Sequence, residues 1–225
     1  MTPAQAPLRI VIEGPNYVGK SSVVNQLHLL LPGATVIQLH DFCHQHIIRR
    51  SHPPMRLVSR DDYRAVQVDV VKESCDYLHS RTQQVLQMID ALTSDNIIIE
   101  RLCVTECVYS TLLFGINGSE QLESTDAELA KRNGFLILLN ADPRVLISRT
   151  MTCAPKTPGI QGYGIPYHLT DHEWIGEKCR LYNEAFRQMV MTPKVHIDTT
   201  HLSHEQVNVE IRHAIEKAMS RHERT

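Results

Sequence analysis

The 225-residue chain is 42% hydrophobic and 21% charged, with a formal net charge of -2. That length buries a sizeable core and fits one large α/β domain spanning 1–225, while the near balance of charge argues against coating of duplex nucleic acid and leaves room for a local basic groove. The six cysteines contain no C-x-x-C pair, which predicts reduced thiols rather than a disulfide framework. No stretch approaches ~18 uninterrupted apolar residues, and Met1 to Pro7 has no basic start before an apolar run, so the expectation is a cytoplasmic protein with no membrane partner.

In chain order, five short runs rich in Ile, Val and Leu predict buried parallel strands: Leu8–Ile12, Thr35–Leu39, Asn96–Ile99, Phe135–Leu139 and Lys194–Ile197. Helical periodicity fills the gaps. The first helix is expected over Lys20–Leu31, stopped by Pro32-Gly33, and a long one, straight or bent, over Asp61–Leu92. Others are expected over Thr105–Phe114, Thr125–Arg132, Pro143–Thr150, Asp171–Met191 and Ser203–Arg221. Thr125, Asp142, Asp171 and Ser203 are the predicted N-caps, because their side-chain oxygens can accept from the first free amides. Strands alternating with helices imply a parallel sheet covered on both faces. Cys153–Leu169 carries three prolines and three glycines and is read as a lid over about 150–170.

Gly14-Pro15-Asn16-Tyr17-Val18-Gly19-Lys20-Ser21 matches G-x-x-x-x-G-K-[ST] between a strand and a helix, where backbone amides and a helix N-terminus converge on an anion. Gly14, Asn16, Val18, Gly19, Lys20, Ser21 and Ser22 form the expected ATP-binding set. Lys20 would reach the β- and γ-phosphates and the Ser21 hydroxyl would hold Mg²⁺. A triphosphate loop alone also suits a switch protein. However, the position where a guanine-reading switch carries Asn-Lys-x-Asp reads Leu139-Asn140-Ala141-Asp142, without the lysine.

Glu100-Arg101 ends the third strand with an acid and a base at the sheet edge where α/β proteins bind ligands. Glu100 is expected to join Ser21 at the metal, and Arg101 to clamp an acceptor phosphate. With Glu13-Gly14 before the loop, Glu100-Arg101, Ser80 to Val85 around Arg81, and a late helix containing Arg180 and Tyr182 before Val195-His196-Ile197-Asp198, the chain resembles the thymidylate kinase and deoxynucleoside kinase superfamily. The resemblance implies a P-loop kinase fold, with strand order 2-3-1-4-5, helices on both faces and a lid, and a homodimer through the long helices. It also implies ATP-dependent phosphorylation of a deoxynucleoside monophosphate, dTMP or a related pyrimidine nucleotide, with Arg81 contacting the base and Tyr77 stacking one turn earlier. Arg149 and the lid's Lys156 would share the phosphate charge.

The chain departs from the family at Glu100, where thymidylate kinases carry Asp, and at Leu102, where deoxynucleoside kinases carry Ser. Its lid is also poor in Arg. A nucleoside acceptor therefore stays open. Its neutral hydroxyl would need a base, for which Asp41 or Glu100 is the candidate. His40 to His46 is dense in metal-ligand residue types, yet it offers neither C-x-x-C nor H-x-x-x-H spacing and is read as a polar segment near the substrate mouth.

Overall fold

The computed structural model describes residues 7–39, 68–93, 95–153 and 171–222. Five strands, β1 (Arg9–Glu13), β2 (Thr35–Gln38), β3 (Ile97–Glu100), β4 (Gly134–Asn140) and β5 (Lys194–Asp198), form one parallel sheet in the order β2-β3-β1-β4-β5. The α/β class and the strand order are those expected. Each strand lies within one residue of its expected bounds.

The central strands are buried along their whole length, and their side chains alternate between two cores. Ile10, Ile12, Ile98, Ile137 and Leu139 pack with α1 (Lys20–Leu30) and α7 (His204–His222). Val11, Ile97, Ile99, Leu136 and Leu138 point the other way. There they meet α2 (Val68–Ala91), α3 (Cys103–Phe114), α4 (Ser119–Lys131) and α6 (His172–Gln188). Helix α5 (Pro143–Cys153) contributes Leu146 to the first core.

Three of the four expected caps are made. Asp171 accepts from the Trp174 amide at 2.7 Å and Asp142 from the Arg144 amide at 2.8 Å. Ser203 exchanges bonds with Gln206 in a reciprocal box. The fourth is corrected: α4 begins at Ser119, so Thr125 is a buried mid-helix residue whose hydroxyl donates back to the Gln121 carbonyl. Helix α3 likewise starts at Cys103 rather than Thr105, and α5 runs through residues 150–153, which had been assigned to the lid. The rest of that lid, the start of the long helix before Val68 and the His40–His46 cluster lie outside the described residues. No helix among the described residues is long and apolar enough to cross a membrane.

Two buried carboxylates brace this frame. Asp126, on α4, accepts from the amides of Val190, Met191 and Thr192 and so holds the turn between α6 and β5. Glu13 does the same for α3, accepting from the amides of Leu102, Val104 and Thr105 and from the Thr105 hydroxyl.

Candidate active site

The loop after β1 opens at the middle of the sheet, flanked by the chain leaving β3 and β4, so several strand ends face one crevice. Its first residue has to be glycine. Gly14 sits at φ +139°, and an added Cβ would lie 2.2 Å from the Leu139 carbonyl oxygen, so the loop can pass β4 only without a side chain there. Gly19, at φ +105°, turns the chain into the first turn of α1. The result is a cleft of about 720 Å³. Its lining includes Asn16 to Ser22 from the loop and the first turn of α1, Glu100 at the end of β3 and Arg101 after it, Arg149 from α5, and Thr199 and Leu202 beyond β5.

Lys20 is almost fully buried, and its ammonium donates to the Gly14 and Pro15 carbonyls at 2.8 and 2.7 Å. Beside it, the Ser21 hydroxyl donates to the two Glu100 oxygens at 3.2 and 3.4 Å, and Gln38 donates its amide to Glu100 at 3.0 Å. A hydroxyl against a carboxylate at the head of a phosphate loop is a hard-oxygen donor pair of the kind Mg²⁺ takes when it bridges phosphate and protein. Ser21 and Glu100, the two residues expected at the metal, are thus adjacent, and the donor set fits the ion.

Arg101 follows Glu100 with φ +69°, a left-handed conformation that costs a non-glycine residue on the order of 1–3 kcal/mol and collects at functional sites. Tyr17, in the loop, is also left-handed at φ +60°. The Arg101 guanidinium donates to the Asn16 carboxamide oxygen at 3.0 Å, and that oxygen also accepts from the Tyr109 hydroxyl at 3.2 Å. At the far end of the cleft Arg149 donates to the Thr199 hydroxyl at 3.0 Å and to the Thr199 carbonyl at 2.8 Å. A helix residue tied to the β5 loop thereby forms one wall.

The structure thus gathers the loop residues, Glu100, Arg101 and Arg149 into one crevice. Tyr77 and Arg81 are neighbours on α2, with the guanidinium 5.8 Å from the ring centroid, but neither is part of the cleft lining. Asp41 and Lys156 lie outside the described residues. Sequence reasoning passed over Gln38, Tyr109 and Thr199. The usable signal for Gln38 was its place at the end of a strand next to β3, and for Tyr109 its position two helical turns beyond Arg101. Asn140, in the guanine-reading position, is spent on structure: its carboxamide bonds Asn183, the Cys179 carbonyl and the Ala141 amide.

A five-stranded parallel sheet in this order, with a phosphate loop after its central strand, defines a P-loop kinase-like α/β fold. Neither family models nor curated proteins give a match to the chain. Among solved structures it is similar to thymidylate kinase from Candida albicans, whose structure is described as revealing the origin of broad substrate specificity and a novel structural element. The TM-score is 0.55 with 16% sequence identity, over 96% of this chain and 94% of that one. The shared property at that identity is the fold.

Proposed function

We propose that the chain transfers the γ-phosphoryl group of ATP to a deoxynucleoside monophosphate, dTMP or a related pyrimidine nucleotide. The observation that carries this is the contact of Ser21 with Glu100, at 3.2 and 3.4 Å, in a cleft headed by a phosphate loop and flanked by Arg101. The likeness of fold to a thymidylate kinase supports the same choice of reaction.

Bound Mg²⁺, held by Ser21 and Glu100, would supply charge neutralisation between the β- and γ-phosphates. Lys20 would exchange its two loop carbonyls for phosphate oxygens, which as charged acceptors make the stronger bond. Arg101 would bind the acceptor's phosphate and bring one of its anionic oxygens in line with the γ-phosphorus. As that oxygen bonds to phosphorus, the bond to the bridging oxygen breaks and its electron pair leaves with ADP. The nucleophile is already an anion, so no side chain has to remove a proton, and positioning with charge balance does the catalysis. Arg149, fixed to Thr199, would bound the donor nucleotide's end of the cleft.

ADP release measured across a panel of nucleosides and nucleoside monophosphates tests the proposal, with Lys20→Ala as control. Turnover is expected with pyrimidine deoxynucleoside monophosphates and is expected to fall about 100-fold or more in the variant. Turnover confined to nucleosides would replace this assignment with a nucleoside kinase, and ATP hydrolysis indifferent to every acceptor would replace it with a switch.

A further inference from the structure

We infer that Asn208, on α7, is a specificity-determining residue for the donor nucleotide, and that its carboxamide pairs with the N6 and N7 edge of adenine and rejects the corresponding edge of guanine. The inference deepens the proposed function and rests on its placing of a triphosphate in the phosphate loop.

The loop fixes one end of the donor. With the β- and γ-phosphates at Lys20 and Ser21 and the acceptor on the side of Arg101, the donor's nucleoside runs toward the opposite end of the cleft, where Arg149, Thr199, Leu202, Val207 and Asn208 form the lining. Leu202 and Val207 supply apolar surface of the kind that the face of a purine needs. The polar groups at this end differ in how free they are. Arg149 is tied to Thr199. His204, one turn before Asn208 on the same helix face, is exposed and stands at the rim. Asn208 is half-buried, and its carboxamide has no hydrogen-bond partner among the described residues. A polar group held partly out of water gains most from a ligand that satisfies it.

The 6-substituent of a purine lies far from the bond to its ribose, so it is the part of the base that reaches the end of the cleft. A carboxamide presents one N–H donor and one carbonyl acceptor side by side. Adenine offers the complement, an acceptor at N7 beside a donor at N6, and two parallel bonds form. Guanine offers acceptors at both N7 and O6, which leaves one of them against the carboxamide oxygen. A guanidinium, which carries donors only, has the opposite preference.

The test is equilibrium binding to the full chain and to Asn208→Leu and Asn208→Arg, using the β,γ-imido analogues of ATP and GTP and inorganic triphosphate, each with Mg²⁺. The parent is expected to bind the ATP analogue about tenfold or more tightly than the GTP analogue, the discrimination of one bidentate pair. Asn208→Leu, close in size and without polar atoms, should bring the two analogues within about threefold of each other by weakening the first, and should leave inorganic triphosphate, which has no base, unchanged. Asn208→Arg should reverse the preference, and it carries the test alone if the leucine variant does not fold. A merely structural role predicts that Asn208→Leu weakens all three ligands alike. That result, an unaltered ratio in either variant, or a parent that binds the two analogues equally would overturn the inference. Binding requires no acceptor, so the expected preferences in a chain that releases ADP with no monophosphate would uphold this inference and remove the proposed function. A parent that binds no triphosphate ends both.

Discussion

Glu13 and Glu100 end adjacent parallel strands, with Ile12 in register with Glu100, and both are buried, yet they belong to different parts of the molecule's work. Among the described residues, the donors onto Glu13 come from the start of α3: three main-chain amides and the Thr105 hydroxyl. The donors onto Glu100 are the side chains of Ser21, in the first turn of α1, and Gln38, at the end of β2. Main-chain donors cannot turn away, so Glu13 is committed to holding a helix in place. Side-chain donors can rotate, so Glu100 can trade them for a cation. The chemistry of the partner, more than the burial of the acid, separates a structural carboxylate from a functional one.

The largest expected effect breaks the structural member of the pair. Glu13→Ala leaves three amides at the start of α3 without their acceptor and should cost about 3 kcal/mol or more of folding stability, read as a lowered urea midpoint. Glu100→Gln should do the reverse. Its urea midpoint is expected to stay close to that of the parent, while phosphoryl transfer at saturating substrates falls about 100-fold and the Mg²⁺ concentration needed for half-activity rises. If the two variants exchanged phenotypes, the distinction between the carboxylates would be lost. A smaller effect is expected at Arg149, where removal of the guanidinium tied to Thr199 should raise the ATP KM about fivefold and leave the acceptor KM unchanged.

The same contrast explains what could be seen in the sequence. Strand positions followed from short runs of Ile, Val and Leu, because a sheet covered on both faces needs apolar side chains on both. Each central strand was nevertheless drawn short by a polar end: Glu13, Glu100 and Asn140 continue the strands but do not count as apolar. Caps supplied from nearby, by Asp142, Asp171 and Ser203, were legible because their partners lie within three residues. The cap of α3 was not, since Glu13 reaches it from about 90 residues away in sequence, and the helix was placed two residues late. The phosphate loop and Glu100-Arg101 could be read as motifs. The link from Asn16 to Tyr109 could not, because it depends on how α3 packs beside the loop.

The smallest effect extends the comparison to a third acid, Glu106 on α3, which faces α2 across a cavity of about 120 Å³ lined also by Cys75, His79, Cys103 and Cys107. Its carboxyl accepts from the Thr82 hydroxyl at 2.7 Å. Burial pushes its pKa above the ordinary value of 4.5, the Thr82 bond and nearby His79 pull it back, and Glu13 adds a push upward. Because the folded value is the higher one, the native chain keeps this proton over a range where the unfolded chain has lost it. The stability it contributes is therefore complete below pH 4.5 and is lost as pH rises through the folded value. Glu106→Gln imitates the protonated acid and can still accept from Thr82, so it should be spared that loss. Urea midpoints of parent and variant measured from pH 4.5 upward should diverge in favour of the variant and then run parallel. Curves parallel throughout would show that Glu106 is solvated well enough to ionise without cost, and would place it with Glu100 among the acids that can exchange partners rather than with Glu13.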